Sequence, residues 1–355
     1  MNRRTFCRTV TALAAGLIAG GRTVAGATPV DAPRSRARDT GSTAPVAFVR
    51  TRDRAEGVRR ALDLLGVNPA QDKRLFLKAN YNSADPTPGS THPETLAALV
   101  TWLGESGAER ITLGDRSGMG ATRRVLRARQ VFDLAAELDF AVLVFDELDA
   151  GGWAMIRPED SHWADGFPFV RAALAADGVV QTCCLKTHGY GGHFTLSIKN
   201  AVGLVAARLP GARHNYMDEL HGSPHMREMI AEINLAYTPD LIVLDGVQAF
   251  VDGGPDKGTT VDAQVILAGT DRVALDAVGV ALLRYFGTTP EVSAGAIFEQ
   301  AQIARAAALG LGVSGPEQIE LVTDDPASAA YAAEVSAILL GADPADVNRT
   351  LLDAS

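Results

Sequence analysis

Two periodicities share the chain. Short runs rich in β-branched and aliphatic residues at 46–50, 74–79, 110–113, 141–145, 179–185, 241–244, 265–267 and 319–322 predict strands. Between them, apolar residues recur at helical spacing. Val58, Ala61, Leu62 and Leu65 predict a helix over 54–65, which Gly66 and Pro69 close. Leu96, Leu99, Val100 and Leu103 predict a second, opened by His92-Pro93-Glu94 with Thr91 as its cap. Further helices are predicted over 131–138, 169–176, 225–237, 271–286, 293–309 and 327–340. In the one over 225–237, Met226, Met229, Ile230 and Ile233 form the inward face. Residues 151–169 show neither period and read either as a flap over a site or, preferred, as an irregular connection anchored by Trp153 and Trp163. Strands and helices alternate almost throughout, which predicts an α/β fold, a largely parallel sheet with helices on both faces.

The two ends depart from this pattern. Asn2-Arg3-Arg4-Thr5-Phe6, a short Ala- and Gly-rich apolar core over 10–20 and Ala25-Gly26-Ala27 together read as a twin-arginine signal peptide over 1–27. Such a core is too short to span a bilayer comfortably. The expectation is an exported protein, periplasmic or extracellular, with the twin-arginine export machinery as a partner and no stable membrane span after cleavage. Residues 28–44 read as a flexible linker, 45–340 as the α/β domain and 341–355 as a polar tail. Beyond the signal, 29 basic residues face 42 acidic ones. That balance, with aromatics at 6% of the chain, argues against a nucleic-acid partner.

Candidate chemistry gathers at the ends of the predicted strands. The stretch 183–205 packs Lys186, His188, Lys199 and Asn200 around Gly189, Gly191 and Gly192, between two apolar runs. Lys78 and Asn80 end the second strand, Asp115 the third, and Asp245 the strand over 241–244; Gly253 and Gly254 follow it. Ligands of open α/β sheets bind outside the carboxyl ends of the strands, so four polar strand ends in one sheet predict a shared crevice. Lysine acts there as a point charge for a carboxylate or phosphate, histidine exchanges protons near neutral pH, and Asn80 and Asn200 can orient an oxygen. The expected catalytic residues are therefore Lys186, His188, Lys199 and Asp245. The expected substrate-binding residues are Lys78, Asn80, Asp115, Asn200, Gly253 and Gly254.

No motif identifies a cofactor. Cys7, Cys183 and Cys184 form no CxxC pair, so the chain's own cysteines cannot hold an iron–sulfur cluster. Cys183 and Cys184 are adjacent on a strand, point to opposite faces and read as buried thiols. His188 and His193 lack an established zinc spacing, and His214, His221 and His225 lie on loops the pattern does not place. A divalent metal stays open as a cofactor, with no ligand set assigned.

Taken together and in order, Lys78-Ala79-Asn80, Lys186-Thr187-His188, Ile198-Lys199-Asn200 with Gly203, Asp245-Gly246, Gly253-Gly254-Pro255, and Asp271 with Asp276 resemble the family called domain of unknown function 362, over about residues 74–280. That family usually has proline at the position of Ala79, and often a Pro-Lys pair where this chain has Cys183-Cys184. Many relatives add ferredoxin-like cysteine clusters that this sequence lacks. The expectation is an enzyme acting on a small anionic molecule. The alternatives are a non-catalytic carrier of a metal or anion in the same crevice, and a redox partner of a separate iron–sulfur protein.

Overall fold

A computed structural model describes residues 43–347 and 349. The predicted signal peptide, most of the predicted linker and the end of the predicted tail lie outside the described residues. In chain order the elements are β1 (Ala44–Arg50), α1 (Arg54–Leu65), β2 (Arg74–Lys78), α2 (Pro93–Glu105), β3 (Arg110–Asp115), α3 (Thr122–Ala128), α4 (Val131–Leu138), β4 (Ala141–Val144), β5 (Trp153–Ile156), β6 (Phe167–Val170), α5 (Arg171–Leu174), β7 (Gly178–His188), β8 (His193–Thr195), α6 (Ser197–Asn200), α7 (Tyr216–Gly222), α8 (Met226–Ile233), β9 (Leu241–Gly253), β10 (Gly258–Val261), β11 (Val265–Gly269), α9 (Arg272–Tyr285), α10 (Pro290–Ser293), α11 (Ala301–Ala308), β12 (Ile319–Val322) and α12 (Pro326–Leu339).

Eight strands form the body of one sheet in the order β12-β1-β11-β9-β7-β2-β3-β4. β9, β7, β2, β3 and β4 are mutually parallel. β11 runs against both β9 and β1, and β12 runs with β1, so β11 alone opposes the common direction. β10 folds back on β9 and β8 on β7 at the carboxyl edge. β5 and β6 form a separate antiparallel pair. The sheet is thus largely parallel, as the alternation of strand and helix predicts.

Alternate residues of each strand feed two cores. Val46 and Phe48 of β1, Cys183 and Leu185 of β7, and Ile242 and Leu244 of β9 pack with α8, α9, α11 and α12. Ala47 and Val49, Leu75 and Leu77, and Leu241 and Val243 pack with α1, α2, α3 and α4. Helices therefore cover both faces, and a one-residue slip of any central strand would exchange its two burial sets. Among the described residues, no helix is long and apolar enough to cross a membrane.

Four local expectations differ from the structure. Residues 151–169 contain β5 and the start of β6, two four-residue strands too short to show a period. The predicted helix over 293–309 is divided into α10 and α11. Arg284 donates to the carbonyls of Val292 and Gly295 (both 2.9 Å), and Gln300 to that of Ala294 (3.0 Å), which holds the intervening chain out of helix. His92, not Thr91, caps α2: its Nδ1 accepts from the Glu94 N–H at 3.2 Å, while the Thr91 hydroxyl oxygen accepts from the Asn80 N–H at 2.8 Å. Lastly, β9 runs thirteen residues, straight through Asp245-Gly246.

Candidate functional site

Every parallel strand from β9 to β4 delivers a residue to one cavity of about 800 Å³ at the carboxyl edge. Lys78 and Asn80 come from the end of β2, Asp115 and Arg116 from β3, Asp146 follows β4, Lys186 and His188 end β7, and Pro255 follows β9. Thr195 of β8 and Lys199 and Asn200 of α6 also line it, with Tyr190, Met217 and His221 among the loop and helix residues around its mouth. This is the crevice that an open α/β sheet leaves outside its strand ends.

The polar residues are joined in a chain of hydrogen bonds. Asp115 pairs with Lys78 Nζ at 2.8 Å and accepts from the backbone N–H groups of Tyr81 and Arg116, each at 2.8 Å. Lys78 also donates to Asn200 Oδ1 (3.1 Å) and to the Ala79 carbonyl. Asn80 Nδ2 donates to the same Asn200 oxygen (3.4 Å), and Asn80 Oδ1 accepts from Lys186 Nζ (2.8 Å). Lys186 further donates to the carbonyls of Gly89 (2.6 Å) and Pro255 (3.1 Å). Its three N–H groups are thus spent on neutral oxygens, so no carboxylate in contact cancels its charge. Gly203 lets the Lys78–Asp115 pair close: a Cβ there would stand 2.7 Å from Asp115 Oδ1 and 2.9 Å from Lys78 Nζ.

Lys199 differs. It is buried and lines the cavity, yet among the described residues no group hydrogen-bonds or ion-pairs with its amine. Burial, then the charges of Lys186 and Arg116, lower its pKa to about 8. Burial likewise lowers the pKa of Lys78 against the pull of Asp115, and that of Lys186. A network under α6 holds Lys199 in place. Asp276 of α9 accepts from the Ser197 and Ile198 N–H groups at 2.8 and 3.0 Å, and burial pushes its pKa up to about 7. The Ser197 hydroxyl donates to Gln181 (2.6 Å), and Asn234 donates to the Ile198 carbonyl (3.0 Å).

Three expected roles need correction. His188 lines the cavity, and a Cβ on Gly192 would lie 3.0 Å from its Nδ1 and 2.6 Å from Lys199 Cε, so the two side chains flank the same glycine. But burial, with Lys199 and Lys186 nearby, lowers its pKa to about 2. Its imidazole stays neutral across physiological pH, so Lys199, not His188, is the group that titrates there. Asp245 does not line the cavity. Because β9 continues past it, Asp245 is no strand end: its side chain meets Arg54 Nε at 2.9 Å and the Thr95 hydroxyl at 2.6 Å, under α1 and α2. Gly253 and Gly254 are not in the wall either. They form the turn that carries Pro255 to Lys186, with the Gly254 carbonyl accepting from the Gly189 N–H at 3.1 Å.

The structure adds residues that the strand-end reasoning does not single out. Arg116 Nε donates to the Val205 carbonyl at 2.8 Å, which ties β3 to the chain after α6. Tyr81 Oη, Thr195 Oγ1 and His188 Nδ1 are buried polar atoms of the wall with no partner among the described residues. Arg116 and Tyr81 each directly follow a residue the sequence does flag, and that adjacency is the signal that could find them.

The histidines meet at most in pairs, His221 lining the cavity with His188. His214 pairs with Glu219 (2.7 Å), His221 Nδ1 bonds the Met217 carbonyl (2.7 Å), and His225 stacks on His162. Among the described residues, no group of three or more His, Cys, Asp or Glu side chains is placed to hold a metal ion. The divalent metal left open by the sequence therefore finds no ligand set here. Cys183 and Cys184 are buried free thiols, their pKa values raised by burial.

Comparison with known proteins bears on the same part of the chain. A family model described as domain of unknown function (DUF362) matches residues 75–281, more than half of the chain and all of the motifs around the cavity. The chain is also similar to the thylakoid-associated protein sll1697 of Synechocystis sp., with 29% identity over 208 residues, or 58% of this chain. That alignment spans 61% of the relative's own length. No solved structure matches.

Proposed function

The chain belongs to the domain of unknown function 362 family, and from the cavity that its motifs line we propose that it is an enzyme acting on a small anionic molecule. The observation that carries this reading is the state of Lys199: an uncommitted amine in a cavity whose wall holds Lys78, Arg116, Lys186 and Lys199 against only Asp115 and Asp146. Lys78 is neutralised by Asp115, while Lys186 is bound only by neutral oxygens, so the surplus positive potential lies on the side of Lys186 and Lys199. A carboxylate or phosphate entering this space, low in dielectric and about the size of a small-molecule site, gains more from that potential than it would in water. Asn200 and Asn80 hold Lys78 and Lys186 in register, and Lys199, titrating near 8, supplies or takes a proton. His188 contributes a neutral imidazole to the wall.

Thermal unfolding of the full chain with a panel of carboxylates, phosphates and sulfate tests the reading. A ligand at 100 times its Kd stabilises by about 2.7 kcal/mol, an upward shift of a few degrees in a protein of this size. The shift should shrink with added salt and disappear in Lys199→Ala and Lys186→Met. An unchanged shift in both variants would remove the cavity from the argument. We also propose that residues 1–27 direct export by the twin-arginine route; replacing Arg3-Arg4 by two lysines should leave the protein inside the producing cell, as fractionation would show.

A further inference from the structure

We propose that Lys199 forms an imine with a small carbonyl compound that carries a carboxylate or phosphate. The inference rests on the anion-binding reading of the cavity and adds the covalent chemistry.

Its first support is the distribution of lysine. The chain has five lysines against 28 arginines, so arginine is the default cation of this protein. Three of the five, Lys78, Lys186 and Lys199, are buried in the wall of one cavity. Arginine binds oxyanions at least as well and does not deprotonate in proteins, so choosing lysine here favours what only an amine can do. Lys78 and Lys186 are spoken for by Asp115, Asn80, Asn200 and backbone carbonyls. Lys199 alone of the three is uncommitted among the described residues.

Its second support is the surroundings of that amine. A nucleophilic lysine needs its lone pair at neutral pH, and enzymes secure this by desolvation and a neighbouring cation. Both are present, as burial, Lys186 and Arg116. His188, neutral, flanks the same glycine as Lys199, so the amine has no second titrating group pressed against it on that side.

The step balances without a redox partner. The Nζ lone pair attacks the carbonyl carbon, the C=O π pair moves to oxygen, and that oxygen gains the proton nitrogen gives up. The resulting carbinolamine loses its hydroxyl with a second proton from nitrogen as water, and a C=N bond remains. Amine and carbonyl become imine and water.

Reductive trapping tests it. The full chain would be treated at pH 7 with sodium cyanoborohydride and, in separate arms, glyoxylate, glyceraldehyde 3-phosphate or uncharged propionaldehyde, then digested and mapped by mass spectrometry. At that pH the unprotonated fraction of an amine titrating near 8 is on the order of 100-fold that of an ordinary lysine. The expected result is trapping on Lys199 at least about 10-fold faster than on Lys73 or Lys257 in one or both anionic arms, faster than with propionaldehyde, and none at that position in Lys199→Arg. The arm that reacts tells a carboxylate from a phosphate. Adducts spread evenly over the lysines would overturn the proposal. So would the absence of an adduct on Lys199 while the wild-type chain still shows anion-dependent thermal shifts, and that pattern leaves the anion site standing. Absence of both removes the two readings together.

Discussion

Two buried ion pairs of nearly equal length have different neighbours in this molecule. Lys78–Asp115 (2.8 Å) stands at the carboxyl edge of the sheet, and Arg54–Asp245 (2.9 Å) lies under α1 and α2. Each carboxylate takes further hydrogen bonds, Asp115 from two backbone N–H groups and Asp245 from the Thr95 hydroxyl and the Val247 N–H. Yet Lys78 leads on through Asn200 and Asn80 to Lys186, along a wall that also holds the uncommitted Lys199. Arg54 and Asp245 line no such cavity. A buried ion pair therefore does not mark a site by itself, since burial makes such pairs nearly neutral in stability and they serve architecture as readily as chemistry. Arg54 even keeps a buried Nη2 without a partner among the described residues, so what marks the site is its connection to free volume lined by the uncommitted Lys199 amine.

The largest expected effect would break this comparison if it failed. Asp245→Ala leaves Arg54 buried without its carboxylate and should cost about 3–5 kcal/mol of stability in chemical denaturation. In the fraction that remains folded, anion-dependent thermal shifts should match the wild type. Loss of anion binding by the folded fraction would return Asp245 to the site, where strand-end reasoning puts it.

That misplacement shows what was legible. Helix α1 and strand β12 coincide with the ranges their apolar spacing predicts, 54–65 and 319–322. Those elements are governed by local periodicity, which sequence records directly. Lys78, Asn80, Asp115, Lys186 and His188 were also legible, because a polar residue ending an apolar run survives into the fold as a strand end. Asp245-Gly246 was not, since an Asp-Gly pair reads as a turn by local preference. Here, flanking strands override it: Asp245 lies opposite Ile266 of β11 and Cys184 of β7, so pairing on both sides carries β9 on to Gly253. The turn forms at Gly253-Gly254-Pro255 instead, eight residues later. Tyr81, Arg116 and Thr195 were illegible for another reason. Tertiary packing sets their places in the wall, and the local signal is adjacency alone, of Tyr81 to Asn80 and of Arg116 to Asp115.

A smaller effect would sharpen the comparison by testing the network that supports the site. Asp276 accepts two N–H bonds from the start of α6, and burial raises its pKa to about 7. Between about pH 4 and 7 the folded protein then binds more protons at this residue than the unfolded chain. Its contribution to stability is therefore full at low pH and is lost as pH rises through about 7. In Asp276→Asn an amide NH₂ faces one of the two N–H donors, which should cost about 1–3 kcal/mol at low pH and remove that slope. Denaturant midpoints of both proteins at pH 4, 5.5 and 7 would show it. Parallel curves would assign the raised pKa to another group.

The smallest expected effect has the opposite sign, and it separates the two regions most cleanly. Lys199 is held near 8, below the roughly 10.4 of an unfolded lysine. Between those values the unfolded chain binds more protons, so stability rises with pH across that window, and at pH 7 the buried ammonium is a net burden. Lys199→Met keeps the length of the side chain and removes the charge. It should stabilise the protein by about 1 kcal/mol at pH 7, flatten the rise between pH 8 and 10.4, and abolish anion binding. Asp245→Ala combines lost stability with retained binding, and Lys199→Met should combine gained stability with lost binding. A residue whose removal stabilises the fold has not been kept for the fold, and such a trade is the signature of a group retained for function. If Lys199→Met instead destabilises the chain and leaves anion binding intact, the amine belongs to the architecture, as Arg54 does, and the cavity loses its reactive group.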